Sequence, residues 1–125
     1  MSMNTIAVPK LDSVNVELVD PDTVKLKGTI TKKEPAQDLD AFFKAVHREA
    51  VASRTPQVNV DVSELTFVNS SAIRLFVDWA TWVKNESTHR YKLRFLTSRH
   101  ITWQKTSFTA LKSLMDGILS FDGVD

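Results

Sequence analysis

The run Asn69-Ser70-Ser71 is the part of this chain whose residue types and order best support chemistry. Its two hydroxyls stand immediately before a stretch of helical periodicity. The free amides and dipole at such a helix start favour an anion placed there. The same residues also suit plain capping, since Asn and Ser side-chain oxygens accept from the amides of a first helical turn. Ser70 is not set up as a catalytic nucleophile: no Gly-x-Ser-x-Gly turn surrounds it and nothing identifies an oxyanion hole. His47, His89 and His100 are the only imidazoles, and their spacing suits no common metal motif. They read as surface or boundary residues. Cysteine is absent, which removes thiol nucleophiles, thiolate metal sites and disulfides. With three glycines, the chain has no Gly-rich phosphate loop. The reading is a non-enzyme that needs no metal and no small-molecule cofactor.

The elements that would carry this run come from periodicity. Residues 14–18, 24–30, 58–63 and 91–95 alternate apolar and polar with period two, as strands with one buried and one wet face do. Pro21-Asp22 marks a turn that makes the first two a hairpin. Residues 37–53 place Leu39, Phe42, Phe43, Val46 and Ala50 on one helical stripe that Pro56 terminates. Residues 70–85 place Ile73, Phe76, Val77, Ala80 and Val83 likewise, widened by Leu75, Trp79 and Trp82. A third helix over 102–115 turns Trp103, Ala110, Leu111, Leu114 and Met115 inward and stops at Gly117. Residues 118–121 form a short last strand.

The order is β-β-α-β-α-β-α with a closing β. Strands buried on both faces would read as continuous apolar runs, and these do not. The expected fold is therefore α/β and two-layered. Its sheet is mixed, mostly parallel and of four to five strands, with helices mainly on one face, reached by right-handed crossovers stepping in one direction. The 125 residues form one domain, 1–125, in which 1–11 is a flexible leading segment. No signal peptide and no apolar run of about 20 residues is present, so cytoplasm is expected and no membrane partner. A formal charge of +1 argues against duplex nucleic acid or anionic lipid.

One basic run, from His89 to Phe95, interleaves cations and aromatics and could hold single-stranded RNA. Its period opposes this, because Tyr91, Leu93 and Phe95 share one face and Lys92 and Arg94 the other. A sheet-faced RNA- or nucleotide-binding module is thus the alternative in a different class. Trp79, Trp82 and Trp103 fall on helical stripes and read as core.

The stretch from Val58 to Val83 resembles the core motif of the STAS family, the anti-sigma factor antagonist domains. Val60-Asp61-Val62 is similar to that family's apolar strand with Asp, and Thr66-Phe67-Val68 to its apolar approach. Asn69-Ser70-Ser71-Ala72 lines up with its Asp-Ser-Ser/Thr-Gly box. Asn69 replaces Asp, keeping the hydrogen bonding without the charge, and Ala72 replaces Gly, which a helix accepts. A divergent branch also has Asn before the modified residue and an Ile-Arg pair after the box, to which Ile73-Arg74 is similar. Gly28 and the element order extend the resemblance over roughly residues 12 to 121.

The resemblance implies a protein-binding regulator switched by phosphorylation of Ser70, with Ser71 the competing acceptor. It implies a contact surface of Asn69, Ser70, Ser71 and Arg74. The implied partners are a serine kinase of the histidine-kinase-like ATPase type, a metal-dependent serine phosphatase and a downstream regulated protein. A STAS-like scaffold that is never phosphorylated is the remaining alternative.

Overall fold

The computed structural model describes residues 6, 8–11, 13–19, 22–31, 33–114 and 117–123, with the side chains of 33–36, 102, 105, 106, 110 and 114 outside the description. In chain order the elements are β1 (Val14–Val19), β2 (Thr23–Ile30), α1 (Lys33–Ala52), β3 (Gln57–Val68), α2 (Ser70–Asn85), β4 (Lys92–Thr97), α3 (Thr102–Leu114) and β5 (Leu119–Gly123).

The five strands form one sheet in sequence order, β1-β2-β3-β4-β5. The β1–β2 pair is antiparallel, and every later pair is parallel. Each strand–helix–strand unit therefore moves one place in the same direction, which keeps the helices on one face. Alternation sorts the strand residues accordingly. Val14, Val16, Val24, Leu26, Val58, Val60, Val62, Leu93, Phe95 and Leu119 are buried under the helices. The opposite face is mixed in charge. Lys25 and Lys27 pair with Glu64 at 3.0 and 3.6 Å, and Arg94 Nε donates to Asp122 at 2.6 Å.

The core is a continuous aromatic seam. Phe43 stacks on Trp79 at 4.6 Å, Phe76 meets Phe95 edge-on at 5.5 Å, and Phe95 and Phe121 both pack on Phe108. These arrangements favour the ring quadrupoles as well as area burial.

The two-layer mixed sheet matches the sequence expectation, with local corrections. α1 starts at Lys33 rather than 37; Pro35 falls in its first turn, where a missing amide costs nothing. The third strand runs on to Val68 instead of stopping at 63. On α2, Ala72 is buried while Ile73 and Val77 are only partly covered, so the stripe is rotated from the one that periodicity suggests. On α3, Phe108 and Leu111 fill the core and Trp103 sits at its edge. Ala110, Leu114 and Met115, expected inward, lie outside the described side chains, as does Pro21 of the hairpin turn. Of the leading segment, Ile6 and Leu11 pack partly buried against the core.

Gly28 lies where β2 pairs with the first residue of β1. Its φ of +115° is unfavourable for any residue with a Cβ, and a Cβ would stand 2.4 Å from the Ser13 carbonyl oxygen. That close approach lets Thr29 N–H donate to Ser13 at 2.9 Å.

Candidate functional site

The site grows from the carboxyl half of β3. Up to Val62 the strand alternates cleanly, with Val58, Val60 and Val62 inward. Beyond it the pairing with β2 slips twice. Lys25 faces Asp61 but Lys27 faces Glu64, and Gly28 faces Leu65 but Thr29 faces Phe67. Each slip is a bulge that puts one extra residue on β3 and re-aims the side chains beyond it. Asp61 braces the first, its carboxylate accepting from the Ser63 amide at 3.0 Å and the Ser63 hydroxyl at 2.6 Å. Thr66 Oγ1 braces the second by donating to the Gly28 carbonyl at 3.1 Å. The outcome is that Leu65 and Val68 turn inward while Phe67 turns out, 52 % exposed.

Asn69 then converts strand to helix. Its amide donates to the Ile30 carbonyl at 2.8 Å, fixing it beside the end of β2. Its backbone is extended, and its side-chain oxygen accepts from the Ala72 amide at 3.0 Å, the geometry of a helix N-cap. Ser70 is the first residue of α2 and is exposed; Ser71 is half-buried. Arg74 is exposed and lies four residues after Ser70, so the two occupy neighbouring positions on one helix face. No acidic residue occupies the first turn of α2, leaving its positive end uncompensated by a carboxylate of its own. The structure thus brings Asn69, Ser70, Ser71 and Arg74 together at the carboxyl ends of β2 and β3.

Two features of the site escape a reading of the sequence alone. Phe67 belongs, by local pattern, to the apolar approach to the helix; the second bulge instead makes it an exposed aromatic two residues before Asn69. Nothing in the local sequence marks that bulge. The other is Gln104, 1 % exposed on α3. Its amide nitrogen donates to the Val62 and Leu65 carbonyls, and its oxygen accepts from the Ser98 amide at 2.9 Å. Trp103 Nε1 adds a bond to the Leu65 carbonyl at 2.9 Å. β4 pairs with β3 only as far as Asp61, so these side chains serve carbonyls that no strand reaches. A polar residue four positions before Phe108, on an inward stripe, was the available signal.

The histidines take other roles. His89 Nε2 bonds the Thr55 carbonyl at 2.7 Å. His47 sits 12 % exposed between Tyr91 and Glu86 at the far end of α2. Among the described residues no group of three metal-ligating side chains converges. In the run from His89 to Phe95, Tyr91, Leu93 and Phe95 are buried, and Arg94 is committed to Asp122. The open sheet face therefore offers paired charges rather than a basic track. No helix among the described residues is long and apolar enough to cross a membrane.

No family model matches the chain, and no curated protein does. Solved structures do. The crystal structure of an anti-sigma factor antagonist from Mycobacterium paratuberculosis superposes with a TM-score of 0.54 at 23 % identity, over 86 % of this chain and 83 % of that one. The NMR structure of the protein TM1081 aligns at 0.49 and 15 % identity, over 99 % and 92 % of the two chains. An uncharacterized protein from Shewanella loihica with a SpoIIAA-like fold aligns at 0.49 and 14 %, over 92 % and 90 %. The fold is STAS-like, that of the anti-sigma factor antagonist.

Proposed function

We propose that this domain is a phosphorylation-switched, protein-binding regulator of a partner-switching pathway, with Ser70 as phosphoacceptor. The observation that carries the reading is the placement of Ser70: an exposed hydroxyl on the first residue of an Asn-capped helix, with Arg74 one turn further along it and Phe67 exposed three residues before it.

In the unmodified state Asn69, Ser70, Ser71 and Arg74 form the polar part of a contact surface, and Phe67 supplies an aromatic anchor of the kind that dominates protein interfaces. A serine kinase of the histidine-kinase-like ATPase type docks there. The kinase brings ATP and its Mg²⁺; this chain contributes only the Ser70 hydroxyl, whose oxygen takes the γ-phosphoryl group and gives up its proton. Phosphorylation adds about −1.5 to −2 charges near pH 7. The helix N-terminus stabilises that charge, and Arg74 is placed to pair with it, so the fold persists. The interface does not persist, because an unpaired charge desolvated against a partner costs several kcal/mol. A metal-dependent serine phosphatase resets the cycle. The domain itself catalyses nothing and works in the cytoplasm.

Ser71, half-buried, is the less accessible acceptor. Incubation with the partner kinase and ATP, followed by phosphopeptide mapping, tests the assignment. One phosphate on Ser70, lost in Ser70→Ala, is the expected result. Phosphate on Ser71 alone would move the acceptor, and a chain that is never phosphorylated would leave a STAS-like scaffold.

A further inference from the structure

Along β3 the inward residues change their spacing. They step by two through Val58, Val60 and Val62, then by three to Leu65 and by three again to Val68. Each three-residue step coincides with one of the two bulges against β2. The carbonyl that opens each step is held by the same side chain. Buried Gln104 donates from its amide nitrogen to the Val62 carbonyl and, at 3.3 Å, to the Leu65 carbonyl. Trp103 Nε1 donates to the Leu65 carbonyl as well, at 2.9 Å. The second step, the one that exposes Phe67, thus opens on a carbonyl with two side-chain donors.

Gln104 uses both ends of its amide. While the nitrogen serves β3, the oxygen accepts from the Ser98 amide just past the end of β4, at 2.9 Å. A primary amide has the donors and the acceptor this needs; an ionised carboxylate lacks the donors and a thioether lacks them too. The indole of Trp103 is fixed by its edge contact with Phe108, ring centroids 5.3 Å apart. The bulged half of β3 is therefore tied to α3 and to the end of β4.

That tie matters because regular alternation opposes the exposed ring. With Leu65 inward, an unbroken strand would turn Phe67 inward after it and Val68 outward. Burial of an aromatic ring favours that arrangement. Loss of both steps would instead place Glu64 inward, which an unpaired buried carboxylate forbids. The alternative open to the strand is loss of the second step alone. We infer that Gln104 and Trp103 are positioning residues for Phe67: by holding the Leu65 carbonyl they keep the second step and so keep the ring on the surface. The use of that ring as an anchor rests on the interface proposed above, whereas its positioning can be tested with no partner, so failure here and failure of Ser70 phosphorylation are read separately.

The test places 4-fluorophenylalanine at position 67 of the full chain and follows its fluorine resonance while a soluble nitroxide is added, which broadens exposed labels. The same label at position 42, a ring 3 % exposed on α1, is the control. In the parent the label at 67 should broaden and the label at 42 should not. Gln104→Met has a side chain of similar length and makes none of the three amide bonds. There the label at 67 should broaden less, by about twofold or more, with no change at 42. Trp103→Phe removes only the indole bond and keeps an aromatic ring against Phe108, so it holds the fold whatever Gln104→Met does. It should show the same change, smaller. Undiminished broadening at 67 in both variants, or equal changes at 67 and 42, would overturn the inference.

Discussion

At its carboxyl end helix α2 runs into a closed hydrogen-bond chain; at its amino end it emerges from a doubly bulged strand. The closed end is directional. Trp79 Nε1 donates to the Tyr91 hydroxyl at 2.8 Å, and that hydroxyl lies 2.8 Å from His47 Nδ1. His47 Nε2 meets Glu86 at 3.3 Å, and Glu86 accepts from the Thr88 amide. Tyr91 accepts from Trp79 and keeps its own proton to offer Nδ1, an arrangement that suits a neutral imidazole with its proton on Nε2. The open end has no such closure. Its bulges are pinned by single side chains, and it exposes a hydroxyl, a guanidinium and a phenyl ring. One helix therefore carries both a rigid anchor and an accessible surface, with Trp79 roughly 14 Å beyond Ser70 along its axis. A charge added on the exposed Ser70 hydroxyl lies outside the buried stripe of α2 that holds the domain together.

The sharpest way to break this comparison is at the anchor. Trp79→Ala removes the largest fully buried side chain and takes one hydrogen bond from the Tyr91 hydroxyl. A loss of about 3–5 kcal/mol is expected in urea unfolding, a large share of the stability of a domain this size. A loss under about 1 kcal/mol would mean that this end is not the anchor.

Next is the clamp that backs the bulges. Gln104→Ala takes a hydrogen bond from the Val62 carbonyl, from the Leu65 carbonyl, which keeps that of Trp103, and from the Ser98 amide, for about 1–3 kcal/mol. Hydrogen exchange should quicken at residues 62–68 before it does in α1. Uniform acceleration across the domain would show that Gln104 supports the whole core rather than this half-strand.

Asn69→Ala removes the cap and should cost about 1 kcal/mol, whereas Asn69→Asp should keep it, since either side chain presents the accepting oxygen. An equal loss in both variants, read from chemical denaturation, would separate the Asn69 side chain from the helix start.

The smallest effect is a pH slope at the closed end. Burial pushes His47 below the usual imidazole value of 6.5, against the pull of Glu86. The unfolded chain thus takes up this proton at a higher pH than the folded one. Stability should fall as pH drops below about 6.5 and level off beneath the folded value. Glu86, held below the usual carboxylate range mainly by the Thr88 amide, stays charged through that window. Melting temperatures taken across it should show the slope in the parent and not in His47→Gln. A rise in stability on acidification would reverse the assignment.

The two ends also differ in how legible they are. The layers and strand order come from alternation in Val14–Val19 and β4 and from helical spacing in α1, since burial on one face leaves a regular trace. Asn69-Ser70-Ser71 can be placed because capping chemistry is local. Phe67 cannot, because the bulges that turn it outward depend on Asp61, Ser63, Thr66 and a partner strand. The His47–Tyr91–Trp79 chain is equally hidden. His47 and Tyr91 are 44 positions apart, and nothing in either local pattern points to the other.

The most direct test of the switch is the affinity of the partner kinase for unmodified and Ser70-phosphorylated protein, measured by calorimetry alongside the melting temperature of each form. An interface penalty of about 3 kcal/mol corresponds to binding weaker by roughly a hundredfold. That loss, with a melting temperature unchanged by the phosphate, is the predicted result; full kinase affinity retained by the Ser70-phosphorylated chain would contradict it.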